Sequence, residues 1–141
     1  MVLTVKKKMG SGVAKALRDK YPTIFNPYAL MCSEYAADPS KLLGKVCFVD
    51  VGLEVTPNTE LIIVNCFTQE RYGRDGQRYA DPTAIEAAID LAVGFAVELG
   101  IPFYMPKIGC GLGGLSWETE VEPIVRDIAD KYQINIHVCD I

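Results

Sequence analysis

The segment from Asp81 to Gly100 limits most strongly how this chain can fold. Asp81 is a favoured helix N-cap, Pro82 suits the first helical turn and Gly100 is a typical C-terminal stop, so both ends of a helix are marked. The residues between them are alanine and aliphatic on several sides of that helix. Such a helix is stable in water only when it is buried, so the sequence predicts that it packs against a sheet.

Strands and helices alternate around this helix. It is followed by an apolar strand at 101–106, a glycine-rich turn, a helix from about Trp117 to Tyr132 and a last strand at 134–139. Residues 45–51 and 60–67 are rich in β-branched and aromatic side chains and are joined by a turn, which predicts an antiparallel pair. The alternation predicts an α/β fold with a parallel or mixed sheet covered by helices on both faces.

The N-terminal part has weaker signals. Residues 2–5 are compatible with one short strand, and apolar residues at helical spacing predict a helix from Ser11 that ends before Pro22. Asn26 and Pro27 resemble a cap and first-turn proline for a second helix, which extends to about Tyr35.

Length, charge and cysteine content restrict the class of protein. The 141 residues, half of them hydrophobic, suffice for one domain, 1–141, with one core. A net charge of -4 gives no overall attraction to nucleic acid or membrane. The sequence has neither a long apolar run nor a signal peptide pattern, so we expect a cytoplasmic protein with no membrane partner. Its five scattered cysteines predict reduced thiols, and we expect no metal and no cofactor.

A first glycine-containing segment lies directly before the first predicted helix. Glycine lets a backbone approach a phosphate, and the free N–H groups of a helix start favour an anion, although simple turn geometry explains such a pattern equally well. A dinucleotide-binding fingerprint is excluded, since Lys15 occupies the place of its third glycine. Lys6 to Lys8, just upstream, fit either a solvated end or a phosphate contact. The segment consists of Gly10, Ser11, Gly12, Val13 and Ala14.

A second glycine-rich segment lies between the apolar strand at 101–106 and the helix near Trp117. Four glycines within six residues carry a large entropic cost, which favours a ligand-holding loop over a structural turn. Ser116 can cap the following helix, and we expect Trp117 to fill the core beneath the loop. The segment consists of Ile108, Gly109, Cys110, Gly111, Leu112, Gly113 and Gly114.

Polar residues end the strand predicted at 60–67. In the run 65–69, Thr68 and Gln69 either face a ligand or simply terminate the strand. The long polar loop that follows contains Tyr72, Arg74 and Asp75, which either contact a ligand or are solvated loop residues.

Three ordered motifs, MGSGVAKALRDKYP, VNCFTQ with YGRDGQRY, and MPKIGCGLGGLSW, resemble macro domains, especially bacterial and phage members that process ADP-ribose-1''-phosphate. The resemblance spans about residues 9–141. It implies a three-layer α/β/α fold with a mixed sheet. It also implies that Gly10 to Ala14 and Ile108 to Gly114 hold the diphosphate and distal ribose of ADP-ribose or ADP-ribose-1''-phosphate. The ADP-ribose group is either a free molecule or attached to a protein or nucleic acid.

The chain departs from that family at two places. Macro domains usually carry a further strand, an adenine-recognising aspartate and an asparagine motif before the first glycine loop, whereas the nine residues before Gly10 include neither Asp nor Asn. The resemblance therefore implies a shortened N-terminal part. The lysine-dependent branch that removes ADP-ribose has a lysine and an aspartate where this chain has Gln69 and Gly113, and the single histidine, His137, lies outside all three motifs.

These departures leave three hypotheses and assign no catalytic residue. The first is ADP-ribose binding with slow hydrolysis of ADP-ribose-1''-phosphate by a positioned water. The second is a non-catalytic reader of ADP-ribosylated macromolecules. The third is a hydrolase that removes ADP-ribose from protein or nucleic acid.

Overall fold

The computed structural model describes residues 2–4, 12–55, 61–69, 80–108, 110 and 114–139. Within them, two short 3-10 turns cover Pro22–Ile24 and Pro39–Leu42, and a π-helical turn covers Trp117–Val121. The main elements in chain order are β1 (Val2–Thr4), α1 (Gly12–Lys20), α2 (Phe25–Glu34), β2 (Val46–Asp50), α3 (Gly52–Val55), β3 (Ile62–Gln69), α4 (Pro82–Leu99), β4 (Phe103–Pro106), α5 (Glu122–Tyr132) and β5 (Ile136–Cys139).

The strands form a mixed arrangement, as the sequence predicts. β3 lies between β1, which is parallel to it, and β2, which is antiparallel. β4 and β5 form a parallel pair, and no ladder between the described residues joins that pair to the other three strands. The predicted antiparallel pairing of 45–51 with 60–67 is confirmed in the register of β2 and β3.

Helices cover β2 and β3 on both faces, which gives three layers. Cys47 and Val49 of β2 face the cluster formed with α1 and α2. Because side chains alternate along a strand, Phe48 points the other way, where its ring lies 4.2 Å from that of Phe95 on α4. α4 is therefore on the face opposite to α2, and the α/β/α expectation is confirmed.

The two hydrophobic clusters hold these layers together. In the first, Tyr28 of α2 is fully buried and stacks on Phe67 of β3 at 5.7 Å between ring centroids. In the second, one broad side of α4 packs on β4 and α5, while its outer side leaves Leu91 exposed. The members of this second cluster are Ala80, Ile85, Ile89, Val93, Met105, Ile108, Leu115, Val121, Val125 and Ile128.

The predicted ends of α4 are confirmed. The Asp81 carboxylate accepts the backbone N–H of Thr83 at 2.9 Å, and Gly100 ends the helix with φ of 67°. α2 differs from its prediction, because Pro22 begins a 3-10 turn that runs directly into the helix. Asn26 therefore lies inside the first turn, and no side chain caps this helix.

Candidate functional site

The carboxyl ends of β1 and β3 lie at the same edge of the sheet, because the two strands are parallel. Thr4, the last residue of β1, is in register with Gln69, the last residue of β3. The chain leaves β1 at this edge towards the first glycine-containing segment, and α1 begins at Gly12 and packs against β1. In open α/β sheets, ligands bind beyond the carboxyl ends of strands.

The end of β3 is irregular at Thr68. Leu3 pairs with Phe67 and Thr4 with Gln69, so Thr68 has no counterpart on β1. Bulges of this kind redirect side chains and are common next to active sites. The Thr68 carbonyl accepts the Asp81 N–H at 2.8 Å, which ties the strand end to the start of α4. Thr68 and Gln69 are both buried.

The described flanks of the second glycine-rich segment share a hydrophobic cluster with the bridging partner of β3. Gln69 forms an antiparallel bridge with Ala80. Ala80 belongs to the same buried cluster as Ile108 and Leu115, which stand at the two ends of that segment. The partner of the β3 end and both flanks of the glycine-rich segment are therefore parts of one buried cluster.

The C-terminal flank of this loop is firmly anchored. The Ser116 hydroxyl accepts the N–H of Thr119 at 3.4 Å, and the Glu120 carboxylate accepts the N–H of Ser116 at 2.7 Å, a reciprocal capping arrangement. Trp117 is half-buried against the second cluster, which confirms its predicted core role. The Lys107 ammonium lies 6.0 Å from the centre of the Trp117 ring and so brings the two flanks of the loop close together.

Cys110 is the one loop thiol near these flanks, and its environment disfavours the thiolate. Burial and the nearby Glu118 raise the pKa of the Cys110 thiol, while Lys107 opposes them. The thiol donates to the Ile108 carbonyl at 3.4 Å. A protonated, hydrogen-bonded thiol is a poor nucleophile, so Cys110 fits a packing role in the loop.

The predicted site residues divide into two groups. Of those described, Gly12 and Val13 open α1, Ala14 is buried in the first cluster, Ile108 is buried and Gly114 is exposed with φ of 82°. The other predicted site residues lie outside the described part of the chain; they are Gly10, Ser11, Gly109, Gly111, Leu112 and Gly113. The same holds for the weaker candidates Lys6, Lys7, Lys8, Tyr72, Arg74 and Asp75.

Two polar features of β3 were not predicted from the sequence. Asn65 is completely buried. Within the described part of the chain, neither polar atom of its side chain has a hydrogen-bond partner, and the Thr68 hydroxyl has none either. The available signal was that Asn65, Thr68 and Gln69 interrupt an otherwise apolar strand. His137 is exposed on β5 and stacks on Tyr104 at 4.6 Å, outside this region.

The described residues contain neither a metal-binding cluster nor a membrane-spanning helix. No group of three or more His, Cys, Asp or Glu side chains there is arranged to hold a metal ion. Among the same residues, no helix has the length and apolar character needed to cross a membrane.

Sequence comparison identifies two yeast proteins similar to this chain, although no protein-family model matches it. The ADP-ribose 1''-phosphate phosphatase of Scheffersomyces stipitis is 31% identical, over 92% of this chain and 79% of that protein. The protein of the same name from Debaryomyces hansenii is 29% identical, over 93% of this chain and 82% of that protein.

Solved structures share the fold over nearly the whole chain. A macrodomain protein from Streptomyces coelicolor is 27% identical with a TM-score of 0.73, covering 97% of this chain and 82% of that one. The macrodomain of Mycobacterium tuberculosis DarG is 23% identical with a TM-score of 0.77, covering 98% and 84%. Thermosipho africanus DarTG, solved in complex with ADP-ribose, is 20% identical with a TM-score of 0.75, covering 100% of this chain and 37% of that one. The identity to the yeast relatives and the shared architecture together show that this chain belongs to the macro domain family.

Proposed function

We propose that this protein binds ADP-ribose and hydrolyses ADP-ribose 1''-phosphate to ADP-ribose and phosphate. The observation that supports the proposal concerns the described parts of the three sequence motifs. The strand before the first motif, β1, is parallel to β3, and Ala80, which bridges to Gln69, belongs to the same buried cluster as Ile108 and Leu115. The two yeast relatives named for this phosphatase activity support the same substrate.

Backbone groups are the proposed means of holding the diphosphate. The start of α1 at Gly12 supplies free N–H groups and the positive end of a helix dipole, both suited to an anion. The segment from Ile108 to Gly114 supplies a glycine-rich backbone that a phosphate can approach closely. This local arrangement suits a protein whose net charge of -4 would otherwise repel an anionic ligand.

The proposed hydrolysis relies on positioning. Gln69 at the end of β3 carries a neutral amide, which can orient a water molecule but cannot form a covalent intermediate or act as a strong base. A water held in line with the phosphorus would form the new P–O bond as the bond from phosphorus to the ribose oxygen breaks. Donors aimed at the phosphate oxygens stabilise the charge that develops. We expect slow turnover for this reason.

Titration calorimetry with ADP-ribose, paired with an assay of phosphate release from ADP-ribose 1''-phosphate, tests both parts of the proposal. Heat of binding and phosphate release support it, and the absence of heat would contradict it. Gly113→Val should abolish binding, since a β-branched side chain in this loop blocks phosphate approach or strains the backbone. The thermal unfolding midpoint of this variant must stay near that of the parent protein for the result to report on the site.

A second candidate function is a reader of ADP-ribosylated macromolecules. Gln69 and the protonated Cys110 thiol favour it, because neither is an activated nucleophile. Binding of ADP-ribose without phosphate release would select the reader. The free thiols of all five cysteines suit a reducing compartment, which supports a cytoplasmic location for either function.

A further inference from the structure

The Thr68 hydroxyl is buried without a hydrogen-bond partner. Thr68 has no exposed surface, and its Oγ1 atom has no hydrogen-bond partner among the residues that the structure describes. Leaving a buried hydroxyl unsatisfied is unfavourable, whereas a valine of the same shape has no such cost. Threonine at this position therefore makes the folded protein less stable than valine would, unless the hydroxyl finds a partner in another state.

The position of Thr68 indicates where that partner would come from. The residue forms the irregularity in β3 at the edge where β1 ends, directly before Gln69. Its carbonyl is fixed by the Asp81 N–H, and its β-branched side chain has few accessible rotamers. Thr68 is thus fixed at the strand end beside which the ligand is proposed to bind.

Asn65 provides an internal comparison. It is buried to the same degree, and its Nδ2 and Oδ1 atoms also lack partners. It lies in the middle of β3, away from the strand end and in register with Cys47, a member of the first cluster. The same unfavourable burial therefore occurs once at the site and once remote from it.

We propose that Thr68 is a ligand-binding residue whose hydroxyl gains its hydrogen-bond partner when ADP-ribose binds. The partner is an oxygen at the diphosphate and distal-ribose end of the ligand, reached directly or through one water that the ligand orders. This inference rests on the proposed function. On this proposal, Thr68 lowers the unfolding free energy of the unliganded protein, in which its hydroxyl is unsatisfied, and raises the affinity for ADP-ribose, with which the hydroxyl forms its hydrogen bond.

The test measures ADP-ribose affinity by calorimetry and unfolding free energy by urea titration for two substitutions at this position. Thr68→Val removes the hydroxyl and keeps the shape, so it should be at least as stable as the parent protein. Its dissociation constant should rise about tenfold or more, the loss expected for a hydrogen bond to a charged or strongly polar group. Thr68→Ser keeps the hydroxyl and should bind within about threefold of the parent.

Asn65→Leu is the matched control. It removes a buried unsatisfied polar group of the same strand without touching the proposed site, so its affinity should stay within about twofold of the parent. Loss of affinity in both Asn65→Leu and Thr68→Val would overturn the inference, because it would indicate a general disturbance of β3.

Four other results would also overturn it. If Thr68→Val binds as tightly as the parent, the hydroxyl has no part in binding. If Thr68→Val fails to fold or is clearly less stable, the hydroxyl is structural. If Thr68→Ser binds as weakly as Thr68→Val, the methyl group matters and the hydroxyl does not. If the parent protein itself gives no heat with ADP-ribose, the proposed function fails together with this inference, whereas the first three results leave that function intact.

Discussion

Gly44, in the turn before β2, lies against Ala84 and Ala87 near the start of α4, and its replacement by alanine tests that contact quantitatively. Its φ of 85° is a conformation that residues with a side chain adopt at a cost of about 1–2 kcal/mol. A Cβ atom there would lie 3.1 Å from the Cβ of Ala87, closer than normal van der Waals contact. Crowding of this kind adds about 1 kcal/mol or more when a helix must shift to relieve it.

The expected loss of stability for Gly44→Ala is therefore about 2–3 kcal/mol. For a chain of this size each kcal/mol corresponds to roughly 2–4 °C, so the unfolding midpoint should fall by about 4–12 °C. The Gly44 N–H also donates to the Phe67 carbonyl at 2.8 Å, so a shift of this turn would reach β3 next to Thr68. Urea and thermal unfolding followed by circular dichroism measure the change.

Gly100→Ala supplies the matched control. Gly100 also has a positive φ, 67°, but an added Cβ there meets no atom within 4 Å. This variant should lose only the backbone part, about 1–2 kcal/mol. The difference between the two variants isolates the contact with α4. If Gly44→Ala costs no more than Gly100→Ala, the contact is relieved without strain and the packing explanation is refuted.

Three further predictions concern single side chains. The hydrogen bond from Lys131 lowers the pKa of the Asp90 carboxyl group. The Asp90 carboxylate therefore stabilises the fold at pH values above its unfolded pKa, and this contribution is lost as the pH falls through its lower folded pKa. The stability difference between the parent and Asp90→Asn, measured by urea titration from pH 6 to about pH 2, should shrink on acidification, and a constant difference would contradict the assignment. Ser116→Ala removes a helix cap and should cost about 1 kcal/mol in urea unfolding, with an unchanged value excluding a capping role. In iodoacetamide labelling followed by mass spectrometry, the exposed Cys139 thiol should react before the Cys110 thiol. Added ADP-ribose should slow the labelling of Cys110 and leave that of Cys139 unchanged. Equal protection of both thiols would place the ligand elsewhere.

Features that depend on neighbours along the chain were predictable from the sequence. Asp81, Pro82 and Gly100 determine the ends of α4 because capping and left-handed geometry involve only a few adjacent residues. The pairing of β2 with β3 was likewise predicted from two apolar runs and the turn between them. The local signal at Asn26 was misleading, since the turn begun by Pro22 continues into α2 and makes a cap at Asn26 unnecessary.

The candidate site stays a prediction from the ordered motifs. The glycine-rich segment ending at Gly114 was singled out because four glycines in six residues carry an entropic cost that a fold alone does not justify. The sequence could not show that its flanking residue Ile108 shares a buried cluster with Ala80, the bridge partner of Gln69, because these residues are far apart in the chain.

The burial of β3's polar side chains was decided by the tertiary structure alone. Asn65 and Thr68 have polar side chains, and side chains of these types are usually exposed to solvent. Helices on both faces of the sheet remove that solvent, and the shifted register with β1 leaves Thr68 without a counterpart on β1. Short-range preferences of the backbone determine where helices and strands begin and end, whereas the environment of each side chain depends on packing between distant segments.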